Sequence, residues 1–567
     1  KDDGHIVFEL EADATIPAEY IFLNHFLGEL EPELENEMGE YLRSIQSERH
    51  GGWPLFHDGD FNISASVKAY YALKILGDDV DAPHMARARK AILDFGGAQK
   101  ANVFTRYALA LFGQVPWRAV PAMPVELMLM PRWFPVNTWK FSYWSRTVIG
   151  PLLILAAHRP LAKNPRKVSC AELFTKPVDE IRVWNTNPTG SKWGEFFLGL
   201  DKILQPLETH VLPHLPFRKK AIKRAIDFIT PRLNGEDGLG AIFPAMANAT
   251  MAFQVLGYSK DHPDYKTALA SVRKLVVETR DKRKGAPRYC QPCVSPVWDT
   301  SLAAHALLDA GVERDDEKLV AMCDWLAGEQ ITGCVGDWAV NAPGLKPGGW
   351  AFQYKNDYYP DVDDTAVVGM LLHRVDAKKY ARQIQLAADW IEGMQSSNGG
   401  WGAFDIDNNA EFLNSIPFAD HGALLDPPTV DVTARCLSFL AQTGYRRNHK
   451  CIERGVQFLK DEQEADGSWF GRWGTNYIYG TWSALCALNA VGEDMKSPWV
   501  QKAVKWLKDR QRADGGWGED GATYWQERRD EVKTSTPSQT AWALLGLMAA
   551  GEVDAGEVDK GVKYLNA

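Results

Sequence analysis

The 567-residue sequence carries 63 Lys and Arg against 73 Asp and Glu, a formal net charge of −10. With 45% apolar and 24% charged residues, disorder and low-complexity architectures are excluded, and the acidic balance argues against broad nucleic-acid binding, which needs a basic face. The unusual quantity is aromatic content: 21 Trp, 18 Tyr and 24 Phe.

In chain order, the first residues, Lys1 to His5, do not read as a secretory leader, and no apolar run reaches the length of about 18 residues that spans a bilayer. Tyr41, Gln46, Gly51 and Trp53 open a pattern that recurs below, followed by an amphipathic helix over Ser64–Leu76. Val148–Ala157 is apolar over the length of a buried helix. Trp193–Pro216 is apolar with Pro interruptions, and Arg218, Lys219, Lys220, Lys223 and Arg224 follow it. It reads either as an interfacial helix facing anionic lipid or as a buried helix before a solvated turn. Val276–Pro292, rich in charge, Pro and Gly, marks a domain boundary. Cys290 and Cys293 form a C-x-x-C with no second ligand pair at matching spacing, and read as structural. The eight scattered cysteines fit reduced thiols.

Beyond the boundary the pattern repeats. Trp325, Gln330, Gly336 and Trp338 form a loose copy. Trp390, Gln395, Gly399, Trp401, then Phe458, Gln463, Gly467, Trp469, then Trp506, Gln511, Gly515, Trp517 are close ones, and Lys560–Leu565 opens a last. Helical patterns lie between them at Thr300–Ala310, Val432–Ala441 and Ser538–Ala550. An apolar helix end runs into a Gln, a Gly turn and a Trp. Gly supplies positive φ, the Gln amide bonds helix-terminal backbone groups of a neighbouring helix, and the indole covers that contact. Helix pairs at spacings of roughly 45–70 residues predict an all-α fold of α/α barrels.

The densest chemistry is Tyr358-Tyr-Pro-Asp361-Val-Asp363-Asp364-Thr365-Ala366. Crowded carboxylates cannot all ionise cheaply, so at least one keeps a proton and becomes a Brønsted acid. As a bare pattern it reads first as an N-cap cluster at a helix start. A magnesium–diphosphate site is a further reading, and would need a second acidic motif, for which Asp405-Ile-Asp407 is the nearest candidate.

Taken together, the Gln–Trp repeat and Asp361-Val-Asp-Asp-Thr-Ala366 resemble the squalene–hopene cyclases, class II triterpene cyclases. Ser295-Pro-Val-Trp-Asp-Thr300, Gly348-Gly-Trp-Ala-Phe-Gln353, Gly467-Ser-Trp-Phe-Gly-Arg-Trp473 and Ser535-Thr-Pro-Ser-Gln-Thr540 extend the likeness over nearly the whole chain. The resemblance implies two α/α barrel domains, 12–285 with a membrane-facing apolar patch and 286–567 (with 1–11) carrying the acid, and an apolar cavity between them. It implies an isomerase that turns squalene into hopene or hopanol with no metal or cofactor. The partners implied are squalene from the bilayer, the membrane surface and a second copy in a homodimer, at the cytoplasmic face of the cell membrane as a monotopic protein. Trp193–Pro216 is the candidate for part of the apolar patch. Relatives continue past the last repeat into an aromatic tail; this sequence ends at Ala567.

By the same resemblance Asp363 is the acid that protonates the terminal alkene, with Asp361 and Asp364 orienting its proton. Asp431-Val-Thr-Ala-Arg435 matches a family D-V-T-A-H string, with Arg435 in place of His. Arg435 is expected to pair with Asp431 and Asp361 and to stabilise ionised Asp363. Matched cavity positions are Trp144, Trp298, Phe352, Phe404, Trp473 and Tyr479, whose ring faces stabilise cations without bonding to them. Asp299 supports a mid-cavity cation, Glu19 lies near the terminating end, and Phe243 stands where relatives have a water-holding Gln. Phe141, Ile149 and Phe418 match an entrance constriction. Other readings are a class II cyclase for another polyprenoid, an α/α-barrel glycoside hydrolase with a polar cleft, and a non-catalytic helical scaffold.

Overall fold

The computed structural model describes residues 1–277, 286–531 and 534–567. Among these the extended pairings are isolated bridges, such as Trp350 with Asp361 and Trp401 with Thr429, and the regular structure is helical, as expected. The chain divides into two compact units: Phe8–Val294 with Ala410–Leu425, and Lys1–Val7 with Ser295–Asn409 and Asp426–Ala567. The boundary expected at 285/286 falls at the edge of 278–285, outside the described residues, and the second unit begins at Ser295. Only Lys1–Val7, rather than 1–11, joins that unit: Ile6 bonds Thr300, whereas the Leu10 N–H donates to Gln291. Ala410–Leu425 belongs to the first unit because Phe412 packs on Trp193, with ring centroids 5.3 Å apart, and the Ser142 N–H donates to the Leu424 carbonyl.

The first unit contains α1 (Thr15–Leu27), α2 (Pro32–Ser44), α3 (Ile63–Leu76), α4 (Pro83–Phe95), α5 (Val103–Leu111), α6 (Tyr143–His158), α7 (Lys192–His210), α8 (Phe217–Ile229), α9 (Phe243–Val255) and α10 (Pro263–Lys274). The second contains α11 (Pro296–Asp309), α12 (Glu317–Gly328), α13 (Val362–Asp376), α14 (Ala381–Gly393), α15 (Val430–Gln442), α16 (Lys450–Asp461), α17 (Tyr477–Ala490), α18 (Pro498–Asp509), α19 (Pro537–Ala549) and α20 (Gly556–Asn566). In the second unit the odd-numbered helices pack successively, and the even-numbered ones lie outside them. Composition explains the division. Along α17, Tyr477, Ile478, Gly480, Ala484, Leu485, Ala487 and Leu488 are all buried, which suits an enclosed helix. α16 buries Cys451, Ile452, Val456, Phe458 and Leu459 and exposes Glu453, Gln457 and Lys460, which suits an outer one. This inner-and-outer order is that of an α/α barrel.

The repeat joins the helix pairs through hydrogen bonds. The indole N–H groups of Trp53, Trp350, Trp401, Trp469 and Trp517 donate to Leu42, Leu326, Ile391, Leu459 and Leu507 at 2.6–2.8 Å. Each acceptor is a last-turn carbonyl; those of Leu326, Ile391 and Leu507 also accept the backbone N–H three residues on. The amides of Gln46, Gln330, Gln395, Gln463 and Gln511 each donate twice. One bond goes to a glycine carbonyl in the adjoining turn, the other to a first-turn carbonyl of the next outer helix. In the loose copy, Gly348 and Trp350 play these parts, not Gly336 and Trp338, because an inserted loop separates Gln330 from its turn. Gly467 has φ +101°, and a Cβ there would stand 2.8 Å from the Lys502 backbone.

A third bond sets helix register. The backbone N–H of each repeat Trp donates to a hydroxyl near the start of the next inner helix. The acceptors are Ser66, Thr365, Thr433, Thr481 and Thr540, at 2.9–3.1 Å. At α11 the Ile6 N–H takes this part, donating to Thr300 at 2.9 Å.

Candidate active site

That register gathers the chemistry. Two residues before the hydroxyl stand Trp298 on α11, Asp363 on α13, Asp431 on α15 and Tyr479 on α17. Asp361 caps α13: its Oδ1 accepts the backbone N–H groups of Asp363 at 2.7 Å and Asp364 at 3.2 Å. The capping reading therefore describes Asp361 and leaves the other two carboxyls free for other work. Asp363, 13% exposed, meets Arg435: Nε donates to Oδ1 at 3.1 Å. The same guanidinium donates to the Tyr479 hydroxyl at 3.2 Å.

Burial pushes the pKa of Asp363 up to about 6, with Arg435 opposing and Asp431 adding to the rise. Burial also lifts Asp361 and Asp364 well above the carboxylate range. Asp363 adds to the rise at Asp361; Asp361, Asp363 and Asp299 add to it at Asp364. Burial alone would lower Arg435, but Asp363 and Tyr479 hold it above its ordinary value. The arrangement is a set of proton-retaining carboxyls beside one permanent cation.

The expected pairing of Arg435 with Asp431 and Asp361 is replaced by its pairing with Asp363. Asp431 is engaged nearer at hand. Its Oδ2 accepts the N–H groups of Arg472 and Trp473 at 2.9 and 2.7 Å, and its Oδ1 those of Val432 and the Thr429 hydroxyl. Asp431 thus anchors the turn that carries Trp473. Asp299 is buried and accepts the Ser295 hydroxyl at 2.9 Å. Phe404 stands edge-on to Trp473, with centroids 6.5 Å apart. Trp473 is 45% exposed, and Phe352 is half-buried just after Trp350. The Trp298 ring already meets a resident cation, the Arg435 guanidinium at 5.7 Å.

Sequence reasoning missed three features of this unit. Asp426, fully buried, accepts the N–H groups of Ala403, Phe404 and Asp405 and so fixes Phe404. Trp482 faces Arg435, and Trp542 stacks on Trp482. The hydroxyl register could have pointed to Trp482, the residue after Thr481; nothing local marked Asp426. Asp407 is taken up by its turn, accepting the Ser397 N–H and hydroxyl. Among the described residues no group of three or more His, Cys, Asp or Glu is placed to hold a metal ion.

Two cavities in the first unit meet residues singled out in the sequence. One of about 400 Å³ is lined by Glu19, Lys68, Trp144, Ile242 and Pro244, with Glu19 and Lys68 ion-paired at 2.5 Å. Phe243 does not line it. Its neighbours face the cavity, so Phe243 turns the other way and is fully buried at the start of α9. The other, of about 650 Å³, is lined by Phe141, Ile149 and Phe418 together with Trp193, Phe196 and Leu200.

α7 is inverted relative to a buried helix. Asp201 and Glu208 face inward, accepting the N–H groups of Ala122 and Met123, while Trp193, Phe196 and Ile203 are more than half exposed. Of the two readings of Trp193–Pro216, burial is therefore wrong for its outer face. Arg218 is buried against Glu126, and Lys219, Lys220, Lys223 and Arg224 are exposed. Among the described residues no helix is long and apolar enough to cross a membrane.

Residues 1–281 match the squalene-hopene cyclase N-terminal domain, and residues 294–567 the squalene-hopene cyclase C-terminal domain. A squalene-hopene cyclase of Schizosaccharomyces japonicus is 54% identical over 572 residues, covering 100% of this chain and 86% of that protein. The chain belongs to the squalene–hopene cyclase family. Other members lie at similar and greater distances. The Zymomonas mobilis protein is 54% identical, over 99% of this chain and 86% of its own length. The Alicyclobacillus acidocaldarius protein is 41% identical, over 100% and 88%. Among solved structures, ent-copalyl diphosphate synthase from Streptomyces platensis matches with a TM-score of 0.50 at 18% identity, over 98% of this chain and 89% of that one. That likeness concerns the fold alone.

Proposed function

We propose that the chain is an isomerase that cyclises squalene to hopene, with hopanol as the water-capture product, by protonating a terminal alkene. The observation that carries this is the buried Asp363 carboxyl beside Arg435. The alkene π pair takes the Asp363 proton to form a C–H bond, and the O–H pair stays on the carboxylate. A tertiary cation forms on the substrate. Arg435 faces the new carboxylate at once, which strengthens the acid in its working state. Asp361 fixes the start of α13 and so the direction of Asp363; Asp364 and Asp431 complete the acidic surround. The faces of Phe404, Trp473, Tyr479, Phe352 and Trp298 stabilise cationic stages without capturing them. In the other unit Trp144 and Glu19 serve the terminating end, and Phe141, Ile149 and Phe418 form the passage for the hydrocarbon.

The chain is also proposed to sit monotopically on the cytoplasmic face of the cell membrane as a homodimer. The outward apolar face of α7, continuous with the larger cavity, supports membrane docking, and the free cysteines support a reducing compartment. The dimer rests on the resemblance alone.

The test is detergent-solubilised protein given squalene, with products identified by gas chromatography–mass spectrometry, beside Asp363→Asn. Pentacyclic product from the parent and none from the variant is the expected result. Equal product from both would place the acid elsewhere. Conversion of a shorter polyprenoid but not of squalene would move the substrate class.

A further inference from the structure

Arg435 carries a permanent charge with only 16% of its side chain exposed. Its hydrogen bonds to Asp363 and Tyr479 engage two edges of the guanidinium. Its guanidinium carbon lies over two indoles, Trp298 on α11 at 5.7 Å and Trp482 on α17 at 5.5 Å. Both lie within cation–π range. Trp482 is itself held. It stacks on Trp542 of α19 with centroids 5.8 Å apart and 9° between planes. Tyr479 closes the group, its ring 5.2 Å from Trp482 and 4.8 Å from Trp542.

We infer that Trp482 is a positioning residue for the proton donor, holding the Arg435 guanidinium against Asp363 so that the carboxylate left by proton transfer is paired without rearrangement. This rests on the reading of Asp363 as the acid. The flexible stem of an arginine allows many positions, and a partly buried cation keeps one only if its surroundings stabilise it there. Here two hydrogen bonds and two indole rings hold the guanidinium in place. Trp482 sits on the helix that also supplies Tyr479, so one element sets both the hydrogen bond and the ring beneath the cation.

The consequence concerns protonation. Asp361 and Asp364 face Asp363 from its own helix, Arg435 and Asp431 from α15, and Tyr479 from α17. Asp299 of α11 faces Asp364, and His305 of α11, bonded to the Val367 carbonyl and Arg374, faces Arg435. Among these groups Arg435 lowers the pKa of Asp363, and the carboxylates do not. Loosening Arg435 therefore raises that pKa. The acid then stays protonated to higher pH but becomes weaker.

The experiment measures pH profiles of kcat/KM and kcat with squalene for the parent, Trp482→Leu, Trp482→Phe, Arg435→Ala and Asp363→Asn. Trp482→Leu keeps an apolar side chain and removes the ring face. The expected result is that it lowers kcat about tenfold with KM little changed, and moves the alkaline limb to higher pH, as Arg435→Ala does. Trp482→Phe keeps a ring and holds the limb near the parent's position. A merely structural defect lowers the amount of active enzyme and leaves the limb in place. The inference is overturned if Arg435→Ala moves the limb and Trp482→Leu does not, or if Arg435→Ala leaves it unmoved. Full activity of Asp363→Asn would remove the acid reading itself, a result distinct from either.

Discussion

Arg435 reaches from α15 to α13 and donates from Nε to Oδ1 of Asp363 at 3.1 Å, while Asp431, one turn earlier on α15, is engaged by three backbone N–H groups and the Thr429 hydroxyl. The cation therefore belongs to the proton donor itself and not to a supporting carboxylate. This division of labour makes the site testable residue by residue.

Arg435→Ala should lower kcat by about 10²-fold or more, with KM little changed, because the paired charge matters most once Asp363 has ionised. Steady-state kinetics with squalene in detergent checks this. Arg435→Lys should recover part of the loss, since the charge returns without the planar fork.

The pH profile follows from the raised pKa of Asp363, about 6. The working form is the protonated acid, so kcat/KM should be flat below that value and fall about tenfold per unit above it. Filling the site with hydrocarbon removes water and disfavours the carboxylate further, so the limb of kcat should lie at higher pH than that of kcat/KM. Coincident limbs would argue against Asp363 as the group observed.

Trp401→Phe removes the indole N–H that bonds the Ile391 carbonyl at 2.7 Å and leaves that last-turn carbonyl with only the Met394 N–H, at 3.1 Å. The expected cost is about 0.5–1.5 kcal/mol of stability, seen as a lower melting temperature, with kcat of the folded fraction unchanged. The same substitution at Trp338, which makes no such bond in the repeat, should cost less.

Lys68→Met leaves the Glu19 carboxylate without its ion pair at the edge of the 400 Å³ cavity. If this cavity serves termination, the hopene-to-hopanol ratio should change while total turnover changes less. Mass spectrometry of the products measures both.

The outward face of α7 predicts a membrane phenotype. Replacing Phe196 and Ile203 by Ser should weaken flotation with phospholipid vesicles by about 10²-fold, since each apolar side chain contributes about 1.5–3 kcal/mol when fully withdrawn from water. Catalysis in detergent should be nearly unaffected.

Much of this protein was legible in its sequence because the determining interactions are local. Gln, Gly and Trp at fixed spacing specify a helix end and its turn. A Ser or Thr near the start of the next helix fixes register, and counting back two residues finds Trp298, Asp363, Asp431 and Tyr479. A capping Asp361 belongs to the same short-range grammar. The pattern failed where an insertion separated Gln330 from Gly348 and Trp350, since spacing then carries no information.

The tertiary structure alone decided which groups meet. The choice of Arg435 for Asp363 depends on how α13 and α15 face each other and on which donors reach Asp431 first, neither of which a one-dimensional pattern records. The same holds for Phe243, which turns into the core while its neighbours face a cavity, and for Trp482, whose indole lies over a cation supplied from α15. A sequence sets each helix's faces through its period of 3.6 residues; the partner of each face is set by long-range packing.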